Sequence, residues 1–405
     1  MKTKITNIRL VTCAGDEVIE NGEILFDESG ILEYDLQIET GADVEVIDGA
    51  GLTALPGLID CHVHLGMDCS PDPFKQIAQD DESQTAHLAR KQGQEFLKNG
   101  ITTVRNLGTR YNADIKYRKA IEAGQATGPR IFAAGRPIVM TGGHGHVMAI
   151  EADGEAEIRK AARSQLKEGA DLLKLMATGG VLTEGNEPGS TQLSEQELSC
   201  ACQEARNANK TTAAHAIGNE GIKNAIRAGV TTIEHAYLLD EEAVTLMKEK
   251  GTFVVPTLIA PTLILDHTEG IPSYMIEQVK ELIEDHRVSF KMAHAAGIPI
   301  AAGTDAGTPY NYPGLLADEL ALYVNEGMTN LEAIQSATIT AARTVKAEQL
   351  IGSLEKGKKA DIILVDGNPL EDIVKLKEIR SVFLGGKAVY KQEKVTSSQR
   401  VELST

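Results

Sequence analysis

Between about residue 56 and residue 345 the chain alternates short apolar runs with longer stretches whose apolar positions recur every three or four residues. The runs read "GLIDCHVHL", "ITTVRNLG", "RIFAAG", "DLLKLMAT", "TTAAHAIG", "TTIEHAYL", "TFVVPTLI" and "IPIAAGTD". Their shortness and β-branched content predict buried parallel strands. Segments between them, such as "SEQELSCACQEARNANK" and "NEGIKNAIRAG", carry helical periodicity, and several close on a glycine, the residue favoured just past a helix C-terminus. Eight such units close a TIM-type (β/α)8 barrel of roughly 250 residues. A doubly wound open sheet is the alternative, but no glycine-rich dinucleotide fingerprint follows any of the strands.

The two ends of the chain have a different pattern. Residues 1–55, in "ITNIRLVTC", "NGEILFDESGILEYD" and "ADVEVIDGAGLTALPG", show two-residue alternation broken by glycine and Asn-Gly turns. The segments "GSLEKGKKADIILVDG" and "IRSVFLGGKAVYK" repeat that character near the other end. The expectation is an α/β protein with a barrel at 56–345. A small β-sandwich would be built jointly from 1–55 and 346–405.

Charge narrows the partners. A net charge of −18 repels nucleic acid and anionic membranes at long range, which leaves a small-molecule substrate as the expected partner. The opening "MKTKITNIRLVTCAGDEV" lacks the apolar core of a secretory signal, and no apolar run approaches ~20 residues. Cys13, Cys61, Cys69, Cys200 and Cys202 form no disulfide-framework spacing and read as free thiols. A cytoplasmic location is expected. Nothing in the sequence fixes a subunit count, and a homo-oligomer stays open.

Chemistry collects where the strands end. His62 and His64 end the first strand, Lys174 the fourth, His215 the fifth, His235 the sixth and Asp305 the eighth. In a parallel barrel those ends face the mouth where active sites are built. Residues i and i+2 of a strand share a face, about 7 Å apart, so His62 and His64 can look into one cavity. Any one of these side chains could be a satisfied core residue. Six at equivalent positions of a repeating unit point to a metal site, since neutral imidazole and carboxylate suit zinc and its neighbours.

The ordered set "GLIDCHVH", "LLKLM", "AAHAIG", "IEHAYL" and "AAGTDAG" resembles the amidohydrolase superfamily, and the barrel with a split end domain extends the likeness over essentially the whole chain. The resemblance implies two divalent ions, with zinc expected first among those the ligands accept. His62, His64 and Asp305 would hold the more buried ion, and His215 and His235 the second. Lys174 would carry a CO2-derived carbamate shared by both. A metal-bridging hydroxide would attack the substrate carbonyl, with Asp305 as the catalytic proton carrier. A strand-end lysine in an acidic chain is often just an ion-pair partner, but "ADLLKLMATGG" is apolar and offers no local carboxylate.

Related deaminases commonly carry a glutamate three residues after the fifth-strand histidine; here Gly218 stands there. That favours amide or peptide hydrolysis. The loop "RPIVMTGGHGHVM" and Tyr237, two residues beyond His235, are similar to the Xaa-Pro dipeptidase (prolidase-like) or carboxypeptidase branch. There the resemblance implies that a loop histidine, His144 in preference to His146, and Tyr237 grip the substrate's C-terminal carboxylate. An imidazolium and a phenol are suitable donors. Tyr310, Asn311 and Tyr312 are expected near the pocket. Arg105 and Arg136 could neutralise a substrate carboxylate or serve only as structural ion-pair partners. His87, His267, His286 and His294 are read as non-catalytic. The expected function is hydrolysis of a C–N bond in a dipeptide-like or N-acyl amino acid substrate. The alternatives are a cyclic-amide or imidazolonepropionase-like hydrolase and a non-catalytic scaffold.

Overall fold

The computed structural model describes residues 1–392; the predicted end segment 346–405 runs on through 393–405, which lies outside the described residues. Strands Leu58–Val63, Ile101–Asn106 and Arg130–Ala133 pair in parallel. Strands Leu172–Met176, Thr211–Ala216, Thr232–His235 and Phe253–Val255 do the same. Asp171 N–H donates to the Ala133 carbonyl at 2.8 Å, joining the two groups. The predicted eighth strand runs between the seventh and first: Ala301 donates to Val254 (2.9 Å), and Cys61 to Ala302 (2.9 Å). Isolated bridges Val254–Ile300 and Val63–Ala306 complete the closure. The fold is a TIM-type barrel.

Helices form where the sequence caps them. Ser194 accepts the Glu197 amide while Glu197 reaches back to Ser194, a capping box that starts Glu195–Asn207. Asp81 and Thr329 start Glu82–Lys98 and Asn330–Ser336 in the same way. The apolar faces of these helices pack on the strands, so Leu58–Val63, Ile101–Asn106, Leu172–Met176 and Thr211–Ala216 are buried along their whole length. No helix among the described residues is long and apolar enough to cross a membrane.

The chain ends join as one eight-stranded ladder in the order Lys387–Lys391, Ile379–Leu384, Ile362–Asp366, Leu52–Pro56, Lys2–Val11, Val18–Asp27, Gly30–Asp35. Val44–Asp48 pairs along the first half of Lys2–Val11 and Leu52–Pro56 along its second half. Ile5, Ile24, Phe26, Ile362, Leu364 and Phe383 fill this domain's own core. Leu52–Pro56 then runs directly into the first barrel strand.

Candidate active site

His62 and His64 project from one face of their strand, with Nε2 atoms 3.3 Å apart. Asp305 Oδ1 lies 3.2 Å from His62 Nε2 and 3.1 Å from His64 Nε2. Asp305 is turned there by a left-handed backbone (φ 63°), uncommon for a residue with a Cβ and concentrated at functional sites. The other ring nitrogens decide the proton positions. His62 Nδ1 faces Glu234 Oε2 at 3.0 Å, and His64 Nδ1 faces the Gly108 carbonyl at 3.2 Å. Both partners are acceptors, so each Nδ1 carries the hydrogen and each Nε2 presents a lone pair.

Two lone pairs and a carboxylate oxygen thus converge. Asp305 Oδ1 has no hydrogen-bond donor. Burial raises this carboxyl's pKa, but the neighbouring His62 and His64 outweigh it and hold it at about 2. Burial and the Lys174 ammonium push His62 well below the ordinary imidazole value. Three such acceptors repel one another unless a cation sits among them. Ligands at about 2.0–2.1 Å from a tetrahedral ion lie about 3.3–3.4 Å from each other, close to the separations found. The donor set fits a divalent metal.

A second group adjoins it. His215 Nε2 donates to the Gly179 carbonyl (3.2 Å), which leaves Nδ1 as the lone pair. His235 Nδ1 pairs with Thr257 Oγ1 at 2.8 Å, so its Nε2 is available. The His235 ring centroid lies 5.0 Å from that of His62 and 4.7 Å from that of His215. Ligand atoms of His62, His235 and Asp305 all fall within 4.8 Å of one another. Lys174 is 2 % exposed. Burial lowers its pKa to about 8, with Glu234 and Asp305 acting on it only through space. Among the described residues it forms no ion pair with a carboxylate.

Beneath the floor lies a pair that sequence reasoning missed. Arg105 is fully buried and donates to both oxygens of Glu234 (2.8 and 2.9 Å), to Thr232 Oγ1 (2.9 Å) and to the Cys61 carbonyl (2.5 Å). Of the two roles open to Arg105, the structure gives the ion pair. Its partner Glu234 is the orienting acceptor for His62. The available signal was alternation: Thr232 and Glu234 both point inward, one layer below the mouth. His235 follows with φ 72° and Ala236 with φ 55°, so the strand twists and His235 is redirected upward.

Above the floor is a cavity lined by all six floor residues together with His144 and Tyr237. Its walls are apolar. Met67, Phe74, Met148 and Met176 belong to one buried cluster, and Val181, Ile264 and Val279 to another. His144 sits 4.5 Å from the His215 ring, centroid to centroid, with Nδ1 3.0 Å from Thr183 Oγ1. Burial and the Lys174 ammonium lower its pKa to about 3. His146 instead bonds the Gly143 carbonyl of its own loop (3.1 Å).

Tyr310, Asn311 and Tyr312 do not line the cavity. Asn311 is buried and closes its turn on the Thr304 carbonyl (2.7 Å), the Tyr310 hydroxyl reaches the Glu269 carbonyl, and Tyr312 is exposed. Thr308 takes the wall position instead. Arg136 holds the carbonyls of Met148 and Ala149, shaping the His144 loop. Gly218 has no room for a side chain, since a Cβ there would lie 2.1 Å from the Gly189 carbonyl oxygen. His87 is exposed, the His267 ring lies tilted against Tyr310, and His294 faces Glu332. His286 contacts the site indirectly, through Tyr237.

Residues 53–389 match the model of the amidohydrolase family. The ochratoxinase of Aspergillus niger is 35% identical over 366 residues, covering 82% of this chain and 75% of that protein. A crystal structure of a Xaa-Pro dipeptidase with methionine bound in its active site superposes with a TM-score of 0.89 at 34% identity, covering 97% of this chain and 100% of that one. An imidazolonepropionase from Rhizorhabdus wittichii is more distant, at 26% identity over 402 residues, 88% of this chain and 92% of that one. The chain belongs to the amidohydrolase family and is a hydrolase acting on carbon–nitrogen bonds.

Proposed function

We propose that this hydrolase uses two divalent metal ions to release an amino acid from a dipeptide-like or N-acyl amino acid substrate whose side groups are apolar. The observation that carries the reading is the convergence of unpaired ligand atoms on the floor of a cavity with apolar walls. His62, His64 and Asp305 would hold one ion, and His215 and His235 the other, with zinc expected. Lys174 would serve both as a carbamate. Its buried amine, with a pKa of about 8, is neutral often enough near neutral pH to add to CO2. A nitrogen–carbon bond forms, a proton leaves, and two oxygens replace one ammonium. When bound, the ions would polarise the scissile carbonyl and lower the pKa of a water to about 7.

The remaining work falls to the chain. Asp305 would take the proton of the attacking water and hand it to the departing nitrogen. The imidazole of His144 and the phenol of Tyr237 would hold the substrate's carboxylate. The Met67, Phe74, Met148 and Met176 wall would exclude water and receive an apolar acyl group. The names of the relatives, an ochratoxinase and a Xaa-Pro dipeptidase, favour the same class. Five free, buried cysteines suit the reducing cytoplasm.

The test is a substrate panel on protein supplied with zinc and bicarbonate. Xaa-Pro and other dipeptides and N-acyl amino acids are compared with hydantoins and lactams. Amino acid release, lost on chelation, supports the reading. Ring opening without amino acid release would replace it with the cyclic-amide alternative. A Lys174→Ala protein that still bound two metals per chain would remove the carbamate.

A further inference from the structure

The helix Ser273–Ala295 passes behind the exit of the sixth barrel strand, and two of its residues grip that exit. His286 and Ser289 are three positions apart, on one face of the helix. Ser289 Oγ donates to the Tyr237 carbonyl at 2.6 Å and accepts from the Leu239 amide at 2.9 Å. The His286 ring lies under the Tyr237 ring, with centroids 3.8 Å apart and planes inclined by 21°. His286 Nε2 faces the Pro256 carbonyl at 2.8 Å, which fixes the rotation of the imidazole. Both residues are buried.

This grip falls beside a strained stretch of backbone. His235 and Ala236 have φ of 72° and 55°, a conformation that costs free energy for residues with a Cβ and persists only when the surroundings impose it. Tyr237 follows directly. Its ring lines the cavity, and among the described residues its hydroxyl has no hydrogen-bond partner. The phenol is therefore aimed by its ring face and its backbone, not by its oxygen.

We propose that His286 is a positioning residue for substrate recognition: its stacked ring sets the angle at which the Tyr237 hydroxyl meets the substrate's carboxylate. This rests on the reading of Tyr237 given above and goes beyond it, since His286 lies outside the cavity and touches neither substrate nor metal. The stack makes the His286 ring a rigid backing plate. Without that flat face behind it, the Tyr237 ring can tilt while the metal ligands stay in place.

The experiment compares an N-acyl amino acid with the same compound capped as a carboxamide, using metal-loaded enzyme. His286→Leu keeps the volume and removes the flat face; His286→Phe keeps the face and removes the nitrogen. The expected result for His286→Leu is a KM for the carboxylate raised about tenfold, the upper range for an aromatic pair, with kcat within about threefold. KM for the carboxamide should not move. Tyr237→Phe should give the same selective loss, and the double variant should be no worse than either single one. His286→Phe should stay within about threefold of the parent. A His286→Leu enzyme that kept its preference for the carboxylate, or lost both substrates equally with a loss of metal, would overturn the inference. If the parent itself showed no preference for the carboxylate, the reading of Tyr237 would fail first and take this one with it.

Discussion

Replacing Glu234 by Gln tests the floor of the site at its most buried point. The side chain keeps its shape, but an amide nitrogen takes the place of one carboxylate oxygen. Both oxygens are in use: each accepts from Arg105, and Oε2 also orients His62 Nδ1 at 3.0 Å. Arg105 and Glu234 are at most 1 % exposed along their side chains, so the guanidinium is left with no counter-charge and no water. Breaking a buried pair from one side costs about 3–5 kcal/mol of stability. Weakening the acceptor behind a metal-binding histidine costs about 10–100-fold in metal affinity. Denaturant unfolding of metal-free protein reads the first effect, and competition with a chromophoric chelator reads the second. A double variant, Arg105→Met with Glu234→Leu, separates them. Stability should largely return because no charge is stranded, while metal affinity stays low because His62 Nδ1 has lost its acceptor. A Glu234→Gln protein with an unchanged midpoint and metal affinity within about twofold would refute the account of this pair.

Three other changes have defined outcomes. Burial raises the Glu319 carboxyl from 4.5 to about 8, against the amides of Leu258 and Ile259 that it accepts. Between those values the fold holds a proton that the unfolded chain has released, so stability falls as pH rises through the window. Glu319→Gln should therefore gain on the parent from pH 5 to 8, by up to about 3–5 kcal/mol, and a constant difference across that range in denaturant titrations would rule this out. Met148→Ala removes apolar surface from the cavity wall and should lower kcat/KM for substrates with a large apolar acyl group by about 10–100-fold, sparing acetyl derivatives. Equal losses on both would mean that the wall does not contact the acyl group. A Cβ at Gly180 would lie 2.6 Å from the His144 ring, so Gly180→Ala should displace that imidazole and raise KM for carboxylate substrates about tenfold, measured by initial rates on the N-acyl amino acid and its carboxamide.

The sequence made the barrel legible because its strands are short apolar runs and its helices carry their own caps. The floor residues were legible for a related reason. A polar side chain at the end of an apolar strand has few places to point, and six of them share one mouth. Arg105 and Glu234 were harder because they are 129 positions apart, and only strand register brings them face to face. Arg105 was left between two roles until its partner could be seen. Loop residues failed differently: Tyr310 and Asn311 spend their polar atoms on backbone carbonyls, a choice made by turn geometry that composition does not encode. Helical periodicity put His286 on a buried face without revealing the ring it lies against.

The shared end sheet has a consequence for how the molecule is made. Leu52–Pro56 pairs through Pro56–Ile362 and Leu52–Asp366 with a strand more than three hundred residues later. At about 5–20 residues per second, translation takes roughly 15–60 s to deliver that partner. Throughout that interval the nascent polypeptide displays an unpaired edge that other chains can join. A ribosome that stops before residue 362 releases a nearly complete barrel with this edge exposed, and holdase chaperones are the machinery suited to covering it.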